Sequence, residues 1–148
     1  MTRFILDSNL YIEAASDTGK ADDLDAFVQT WAPFLFLHAV VAQKLLAGAT
    51  SERSRQVARR WIIEPFERRD RVVVPDFGMW KRSGEIISVL VAKKVLSPDG
   101  VPSSFRNDAL LAASCRRAGL TIVTRNIKDF ELIARVEPFR YAVPWPRS

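Results

Sequence analysis

The chain has 148 residues, of which 48% are hydrophobic and 26% are charged, and its formal net charge is +5. A chain of this length is expected to fold as a single domain, residues 1–148, which buries about two-thirds of the surface that the unfolded chain exposes. The only cysteine, Cys115, excludes an intramolecular disulfide and a cysteine-rich zinc site, and the only histidine, His38, excludes mechanisms that need two imidazole groups.

Apolar runs and helical spacings predict strands that alternate with helices along the whole chain. In the first half the predicted elements are a strand at 3–7, helices at 9–15 and 20–32, a strand at 34–37, and helices at 39–47 and 51–69. In the second half they are a strand at 71–74, a helix at 76–96, a turn at 97–100, a helix at 103–118, a strand at 120–123, a helix at 127–134 and an edge strand at 139–142.

Capping and helix-breaking residues set the expected ends of these helices. Ser8 or Asn9 is expected to cap the first helix, and Ser103 or Ser104 the helix that ends at Gly119. Pro65 is expected to interrupt the arginine-rich helix. The alternation of strands and helices predicts an α/β fold with a mainly parallel central sheet and helices on both faces.

Three carboxylates are expected to converge at one edge of this sheet. In folds of this kind the functional crevice lies beyond the carboxyl ends of the strands. Asp7 follows the first strand, Asp108 is expected in the first turn of the helix before the late strand, and Asp129 in the first turn of the helix after it. Carboxylates about 4 Å apart repel by about 4 kcal/mol at an effective dielectric of about 20, and a hard divalent cation such as Mg²⁺ or Mn²⁺ relieves that repulsion.

Each of these residues also has a purely structural interpretation. An acid near a helix N-terminus is stabilised by the helix dipole, by ~0.3–1 kcal/mol. Asn126 and Asp129 are three residues apart and could be a capping pair. His38 is interpreted as a strand-end residue with satisfied hydrogen bonds, and Cys115 as a small core residue. The tryptophans Trp31, Trp61 and Trp80 are interpreted as packing anchors, and Trp145 as a residue that docks the tail.

The positive charge is unevenly distributed. Residues 1–30 carry a net charge of −4, and the remaining residues carry +9. The arginine-rich helix contributes much of this excess, through Arg53, Arg55, Arg59 and Arg60. These side chains are expected to contact the phosphates of a nucleic acid or an acidic protein, or to form a solvated face with internal ion pairs.

Several motifs together resemble those of PIN-domain ribonucleases. The run NDALLAAS at 107–114, followed by Thr124-Arg125-Asn126 and then Asp129-Phe130, carries the resemblance. FILDSN at 4–9 is similar to the family's first-strand motif, with Ser8 where threonine is usual, and VAQKLLAG at 41–48 is similar to its second motif. The length and the segment 75–90 most resemble VapC-type toxins of toxin–antitoxin systems. The resemblance covers nearly the whole chain and implies a PIN-like α/β/α sandwich.

The resemblance also implies a set of site residues. Asp7, Asp108 and Asp129 match the family's metal-site acids, and Thr124 and Asn126 match polar residues of the same pocket. The second motif of the family has an acid four residues before its glycine, in the pattern E-L-x-x-G. Lys44 stands at that position here, which predicts weakened binding of a cation, and Glu13 is a possible substitute for the missing acid.

By resemblance, we expect a Mg²⁺-dependent endoribonuclease toxin that a cognate antitoxin neutralises, with Mn²⁺ able to replace Mg²⁺. The same resemblance implies a homodimer that reaches operator DNA only through the antitoxin. The longest uncharged run, 30–43, is too short to span a bilayer, and Asp7 and Glu13 interrupt the N-terminal apolar stretch, so we expect a cytoplasmic protein that contacts no membrane. Two alternatives remain open. One is a catalytically impaired PIN module, with Lys44 in place of the acid, that binds RNA or antitoxin without efficient cleavage. The other is a housekeeping nuclease without an antitoxin.

Overall fold

The structure is a computed structural model, and it describes residues 1–147. Its strands are β1 (Phe4–Leu6), β2 (Leu35–His38), β3 (Val72–Val73), β4 (Thr121–Val123) and β5 (Arg140–Ala142). Its helices are α1 (Ser8–Ser16), α2 (Thr18–Trp31), α3 (Ala39–Gly48), α4 (Glu52–Val57), α5 (Glu64–Arg68), α6 (Phe77–Ala92), α7 (Ser103–Ala118) and α8 (Ile127–Ala134). A short 3₁₀ turn at Ala32–Phe34 precedes β2, and a π-helical segment at Ala58–Ile63 joins α4 to α5.

The five strands form one parallel sheet in the order β3-β2-β1-β4-β5. The central strand β1 pairs with β2 on one side and with β4 on the other, where Leu6 lies opposite Val123. Parallel strands need crossovers, which the helices provide, so the chain has the predicted α/β architecture. The residues that follow β1 and β4 therefore lie side by side at the carboxyl edge of the sheet.

The hydrophobic core surrounds β1 and α7. All three residues of β1 are at most 1% exposed, and α7 buries nine of its side chains. On one side of the sheet the ring of Phe4 packs edge-on against Phe27 and Trp31, with centroids 5.3 Å apart in each pair. Trp145 packs on Phe27 at 5.0 Å, which confirms that this residue docks the C-terminal tail.

Two of the three predicted tryptophan anchors are wrong. Trp31 is half-buried in the aromatic cluster, but Trp61 is 78% exposed and Trp80 is 56% exposed. Trp61 lies within the π-helical segment, whose buried residues are Ala58 and Ile63. The i→i+5 hydrogen bonding of a π-helix changes the angle between successive side chains, so the spacing of a regular α-helix does not predict which side of the segment Trp61 occupies.

Several helix ends differ from the predicted ones. Asp7, rather than Ser8 or Asn9, is the N-cap of α1, because its carboxylate accepts a hydrogen bond from the Ser8 amide at 2.7 Å. The N-cap of α7 is Pro102, so neither Ser103 nor Ser104 caps the helix, and Asp108 falls in the second turn rather than the first.

Two further predictions concern Pro65 and the end of α6. The arginine-rich helix is interrupted next to Pro65, as predicted: the π-helical segment ends at Ile63 and α5 begins at Glu64. The helix α6 ends at Ala92 rather than at 96, and Lys94 just beyond it has a left-handed backbone with φ of 60°. Gly119 ends α7, as predicted, and its backbone is also left-handed, with φ of 68°.

The interpretations of His38 and Cys115 are confirmed. Both ring nitrogens of His38 have hydrogen-bond partners, and the side chain is fully buried. Cys115 is 1% exposed within the core. Within residues 1–147, no helix has both the length and the apolar composition needed to cross a membrane.

Candidate active site

Asp7 lies at the junction of β1 and α1, where the chain leaves the centre of the sheet. Its backbone amide donates to the Val123 carbonyl at 3.0 Å, which continues the pairing of β1 with β4 past the end of the strand. The carboxylate is 4% exposed and accepts two short hydrogen bonds, from the Ser8 amide and from the Thr124 hydroxyl, both at 2.7 Å. This carboxylate is therefore fixed in one orientation toward the adjacent strand end.

The loop after β4 connects the three aspartates. Thr124 is fully buried, and its amide donates to the Ala142 carbonyl of β5 at 3.0 Å. Its hydroxyl donates to Asp7 and accepts from the Asn126 amide at 3.0 Å. Because one hydroxyl group serves as both donor and acceptor, Thr124 joins the end of β1 to the start of α8.

Asn126 bridges the other two carboxylates. Its Nδ2 group donates to Asp108 Oδ2 at 2.9 Å and to Asp129 Oδ2 at 3.1 Å. A primary amide has two N–H donors, so each carboxylate receives one of them. Although Asn126 is the N-cap residue of α8, its side chain makes no capping hydrogen bond. The capping-pair interpretation of Asn126 and Asp129 is therefore wrong, and the asparagine side chain serves the carboxylates instead.

Asp108 has the most perturbed ionisation at this site. It is 2% exposed, and burial, followed by the negative charge of Asp7, raises the pKa of its carboxyl from 3.8 to about 7. The charge of Asp129 also raises this pKa, while the charge of Lys44 and the hydrogen bond from Asn126 lower it. The hydrogen bonds through Thr124 and Asn126 bring the three predicted aspartates together at the carboxyl edge of the sheet.

Lys44 lies on α3 and is half-buried. Its positive charge acts on Asp108, so the ammonium group is close enough to the carboxylates to influence them. Among residues 1–147 it forms no ion pair within 4.0 Å. The structure thus brings Lys44 near the aspartates without a direct contact.

Glu13 belongs to a separate ion-pair cluster beside the site. Its carboxylate accepts from Arg125 Nε at 2.7 Å and pairs with Lys20 Nζ at 3.2 Å. These two cations lower the pKa of Glu13, although burial opposes them. Sequence reasoning missed this cluster, in which Glu13 ties α1 to the loop that carries Thr124 and Asn126. The pair spans 112 positions of sequence, so no local pattern reveals it.

The predicted arginine surface is exposed, and one of its members is paired. Arg53, Arg59 and Arg60 are exposed, whereas the half-buried Arg55 forms an ion pair with Glu52 at 3.2 Å. Arg53 also lines a largely apolar groove with a volume of about 550 Å³. The residues of α1, α3, α4 and the π-helical segment that line this groove include Tyr11, Ile12, Lys44, Leu45, Val57 and Ile62. The groove therefore extends from the arginine surface to the lysine of the candidate active site.

The residues at this site fit a hydrated divalent cation. Within residues 1–147, no group of three or more His, Cys, Asp or Glu side chains is arranged to enclose a metal ion. Mg²⁺, however, keeps several of its waters and is usually held through one or two carboxylates. Asp108 and Asp129 share a single amide group as donor, and both are hard oxygen ligands. The negative charges of Asp7, Asp108 and Asp129 repel one another, and a bound divalent cation would reduce that repulsion.

The fold and the site together define an α/β domain with an acidic centre at the carboxyl edge of a parallel sheet. No protein-family model matches the chain, and no curated protein does. A chain of the DNA-bound VapBC complex from Salmonella typhimurium is 22% identical, with a TM-score of 0.71 over 97% of this chain and 98% of that chain. A chain of FitAB bound to an IR36 DNA fragment is 17% identical, with a TM-score of 0.69 over 98% and 97%.

A further similar structure is VapBC2 from Rickettsia felis, bound to a fragment of promoter DNA. Its matching chain is 18% identical, with a TM-score of 0.66 over 98% of this chain and all of that chain. The chain has the PIN-like α/β/α fold of these VapC-type structures. The resemblance drawn from the motifs is thus confirmed at the level of the fold.

Proposed function

We propose that the chain is a Mg²⁺-dependent endoribonuclease toxin of the VapC type, located in the cytoplasm. The observation that carries the proposal is the hydrogen-bonded network in which Thr124 and Asn126 join Asp7, Asp108 and Asp129. Three acids that are placed together at a strand edge, and held there by dedicated donors, are typical of a cation site for phosphate chemistry.

Each side chain has a defined part in this proposal. Asp7, Asp108 and Asp129 would hold the ion, with Mn²⁺ able to replace Mg²⁺. When bound, the ion lowers the pKa of a water and neutralises charge on the scissile phosphate. Thr124 orients the Asp7 carboxylate, and Asn126 holds the other two carboxylates in position for the ion.

Lys44 supports a second candidate function. The positively charged ammonium group of Lys44 competes with a metal ion for the same carboxylates. On this reasoning the chain is a catalytically impaired PIN module that binds RNA or antitoxin without efficient cleavage. The neutralising charge near Asp108 is the specific observation in its favour.

The deciding experiment is a cleavage assay on labelled RNA, with and without Mg²⁺. We expect Asp7→Asn to abolish Mg²⁺-dependent cleavage, because a neutral amide cannot replace the carboxylate as a metal ligand. Asp23→Asn is the matched control, since Asp23 is an exposed residue of α2, and it should cleave like the wild type. Circular dichroism checks that both variants fold. Undiminished cleavage by folded Asp7→Asn would show that the metal-site assignment is wrong.

A cognate antitoxin is the partner that the groove supports. Its walls are mainly apolar and its rim carries Lys44 and Arg53, a combination that fits an amphipathic helix with acidic residues. Tyr11 is one of the residues that line the groove, and its aromatic ring adds to the apolar wall. In this proposal the complex reaches operator DNA through the antitoxin.

Homodimer formation is supported by a separate apolar surface. Val74, Phe77 and Trp80 are 70%, 79% and 56% exposed, and they follow one another at the end of β3 and the start of α6. Large apolar side chains grouped on a surface mark an interface more often than isolated ones do. We assign this surface to contact with a second copy of the chain.

A further inference from the structure

A second basic region lies at the opposite edge of the sheet from the aspartates. Three adjoining cavities of about 270, 350 and 240 Å³ occupy this edge, and Arg140 lines all of them. Arg3 lines the first cavity and Arg116 the third, while Thr2 and Thr121 line the first and second. We call this region the basal arginine surface, defined by Arg3, Arg116, Arg140, Thr2 and Thr121.

The topology explains why these residues meet. Arg3 immediately precedes β1, Arg140 opens β5, and Arg116 lies in the last turn of α7, which leads into β4. Thr121 pairs with Phe4 on one side and with Arg140 on the other, so the amino ends of three neighbouring strands lie in register. The three arginines are therefore held on ordered elements rather than on a loop.

The charge at this surface is not neutralised. Among the residues that the structure describes, no Asp or Glu lines any of the three cavities. Arg3, Arg116 and Arg140 are exposed, and none of them has an acidic partner within 4.0 Å among residues 1–147. By contrast, Arg55, Arg68, Arg82, Arg117 and Arg125 are each paired with a carboxylate.

Arg3 is held in place by neutral groups. Its Nη2 atom donates to the Ala118 carbonyl at 2.8 Å, and its guanidinium group lies 5.8 Å from the centre of the Phe36 ring. These contacts fix the side chain but leave its charge intact. They also occupy a carbonyl at the end of α7, which would otherwise repel an anion.

We propose that the basal arginine surface binds phosphate groups of the RNA backbone, away from the bond that is cleaved. Exposed guanidinium groups beside hydroxyl donors suit phosphate oxygens. β1 is three residues long. The two edges of the sheet are thus only about 10 Å apart at about 3.3 Å per residue, so one RNA molecule can contact both. The inference depends on the proposed function, because it assigns a second contact to the same RNA.

The test compares two doubly substituted variants that lose the same charge. Arg116→Gln with Arg140→Gln removes two charges from the basal arginine surface. Lys81→Gln with Lys93→Gln removes two from exposed positions at α6 and serves as the control. Binding of a fluorescently labelled RNA hairpin is measured by anisotropy over a series of KCl concentrations, with EDTA present to prevent metal-dependent cleavage. Circular dichroism and thermal unfolding check the fold of each variant.

We expect the basal variant to bind RNA about tenfold more weakly at the lowest salt concentration, while the control retains wild-type affinity. The slope of log affinity against log salt should fall by about two in the basal variant, because each substituted arginine neutralises about one phosphate in the wild type. Equal slopes in the wild type and both variants would overturn the proposal. An equal decrease in RNA affinity in the two variants would also overturn the proposal, because RNA binding would then depend only on the total charge of the chain.

Two further outcomes separate this inference from the proposed function. If the wild type cleaves RNA and the basal variant binds it with unchanged affinity, the inference fails and the proposed function stands. If the wild type neither binds nor cleaves RNA, both fail. Inorganic phosphate is tested as a separate ligand by thermal unfolding. A different result would be that phosphate stabilises the wild type and not the basal variant, while the two proteins bind RNA with equal affinity. That result would identify a site for free phosphate and overturn the assignment to RNA.

Discussion

Protonation of His38 should destabilise the fold as the pH falls. Val40 donates its backbone amide to Nδ1 at 3.0 Å, so Nδ1 carries no proton. Ser114 donates its own hydroxyl proton to the Leu110 carbonyl at 2.7 Å and therefore accepts from His38 Nε2 at 2.9 Å. The neutral ring thus satisfies both contacts. A second proton would turn Nδ1 from an acceptor into a donor. Nδ1 would then face the Val40 amide, which is also a donor, and the hydrogen bond that caps α3 would be lost.

The magnitude follows from the pKa of the buried ring. Burial lowers the pKa of His38 from 6.5 to about 4, so the unfolded chain takes up a proton before the folded chain does. Stability therefore falls as the pH decreases from about 6.5 to about 4, and the decrease is complete below the lower value. At about 1.4 kcal/mol for each pH unit, the total decrease is about 3 kcal/mol.

The assay is urea unfolding followed by tryptophan fluorescence at several pH values between neutrality and the acid limit. His38→Asn is the comparison, because asparagine is a good N-cap and has no titratable group in this range. The carboxylates titrate in both proteins, so their contribution cancels when the two curves are subtracted. The difference in unfolding free energy should change by about 3 kcal/mol across this range, with the larger decrease in the wild type. Parallel curves would refute the reasoning from the buried neutral ring.

The other predictions concern charge and association. Joint replacement of Arg53, Arg55, Arg59 and Arg60 by glutamine should lower the slope of log RNA affinity against log salt by about three to four, measured by anisotropy. An unchanged slope would show that these arginines form a solvated helix face or contact the antitoxin. Lys44→Glu should raise both Mn²⁺ affinity in calorimetry and the rate of Mg²⁺-dependent cleavage, and equal values for the two proteins would show that position 44 does not face the ion. Phe77→Asp should shift the chain from dimer to monomer in sedimentation, with exposed Val95→Asp as its control; a dimer that persists would reject that interface.

The sheet and its acidic edge could be predicted because they depend on local patterns. Short apolar runs mark β1 and β4, and in a parallel sheet the residue after each strand must reach the same edge. This rule is enough to place Asp7 and Thr124 together. Asp129 is also correctly expected in the first turn of α8, since Asn126 precedes the apolar face of that helix.

Features that depend on long-range packing could not be predicted. The prediction that Asp108 lies in the first turn of α7 is wrong, because α7 begins one residue earlier than it would with a serine as its N-cap. The exposure of Trp61 arises from the π-helical segment, which has no signature in hydrophobic spacing. The pairing of Glu13 with Arg125 needs the two ends of the chain to be brought together. The last of these features depends on contacts between distant segments, which no local pattern in the sequence reveals.

The hydrogen bonds around the aspartates explain how the fold tolerates three acids at one edge. Asp7 is stabilised by two donors, and Asn126 gives one donor to each of the others. Lys44 adds a positive charge that acts on the most buried of them. These neutral donors and one fixed cation reduce the repulsion among the three acids. The proposed cleavage would in addition need a bound ion, which brings a water and a phosphate together. In the proposed function, the competition between Lys44 and that ion therefore decides whether the chain acts as a toxin or only as a binding module.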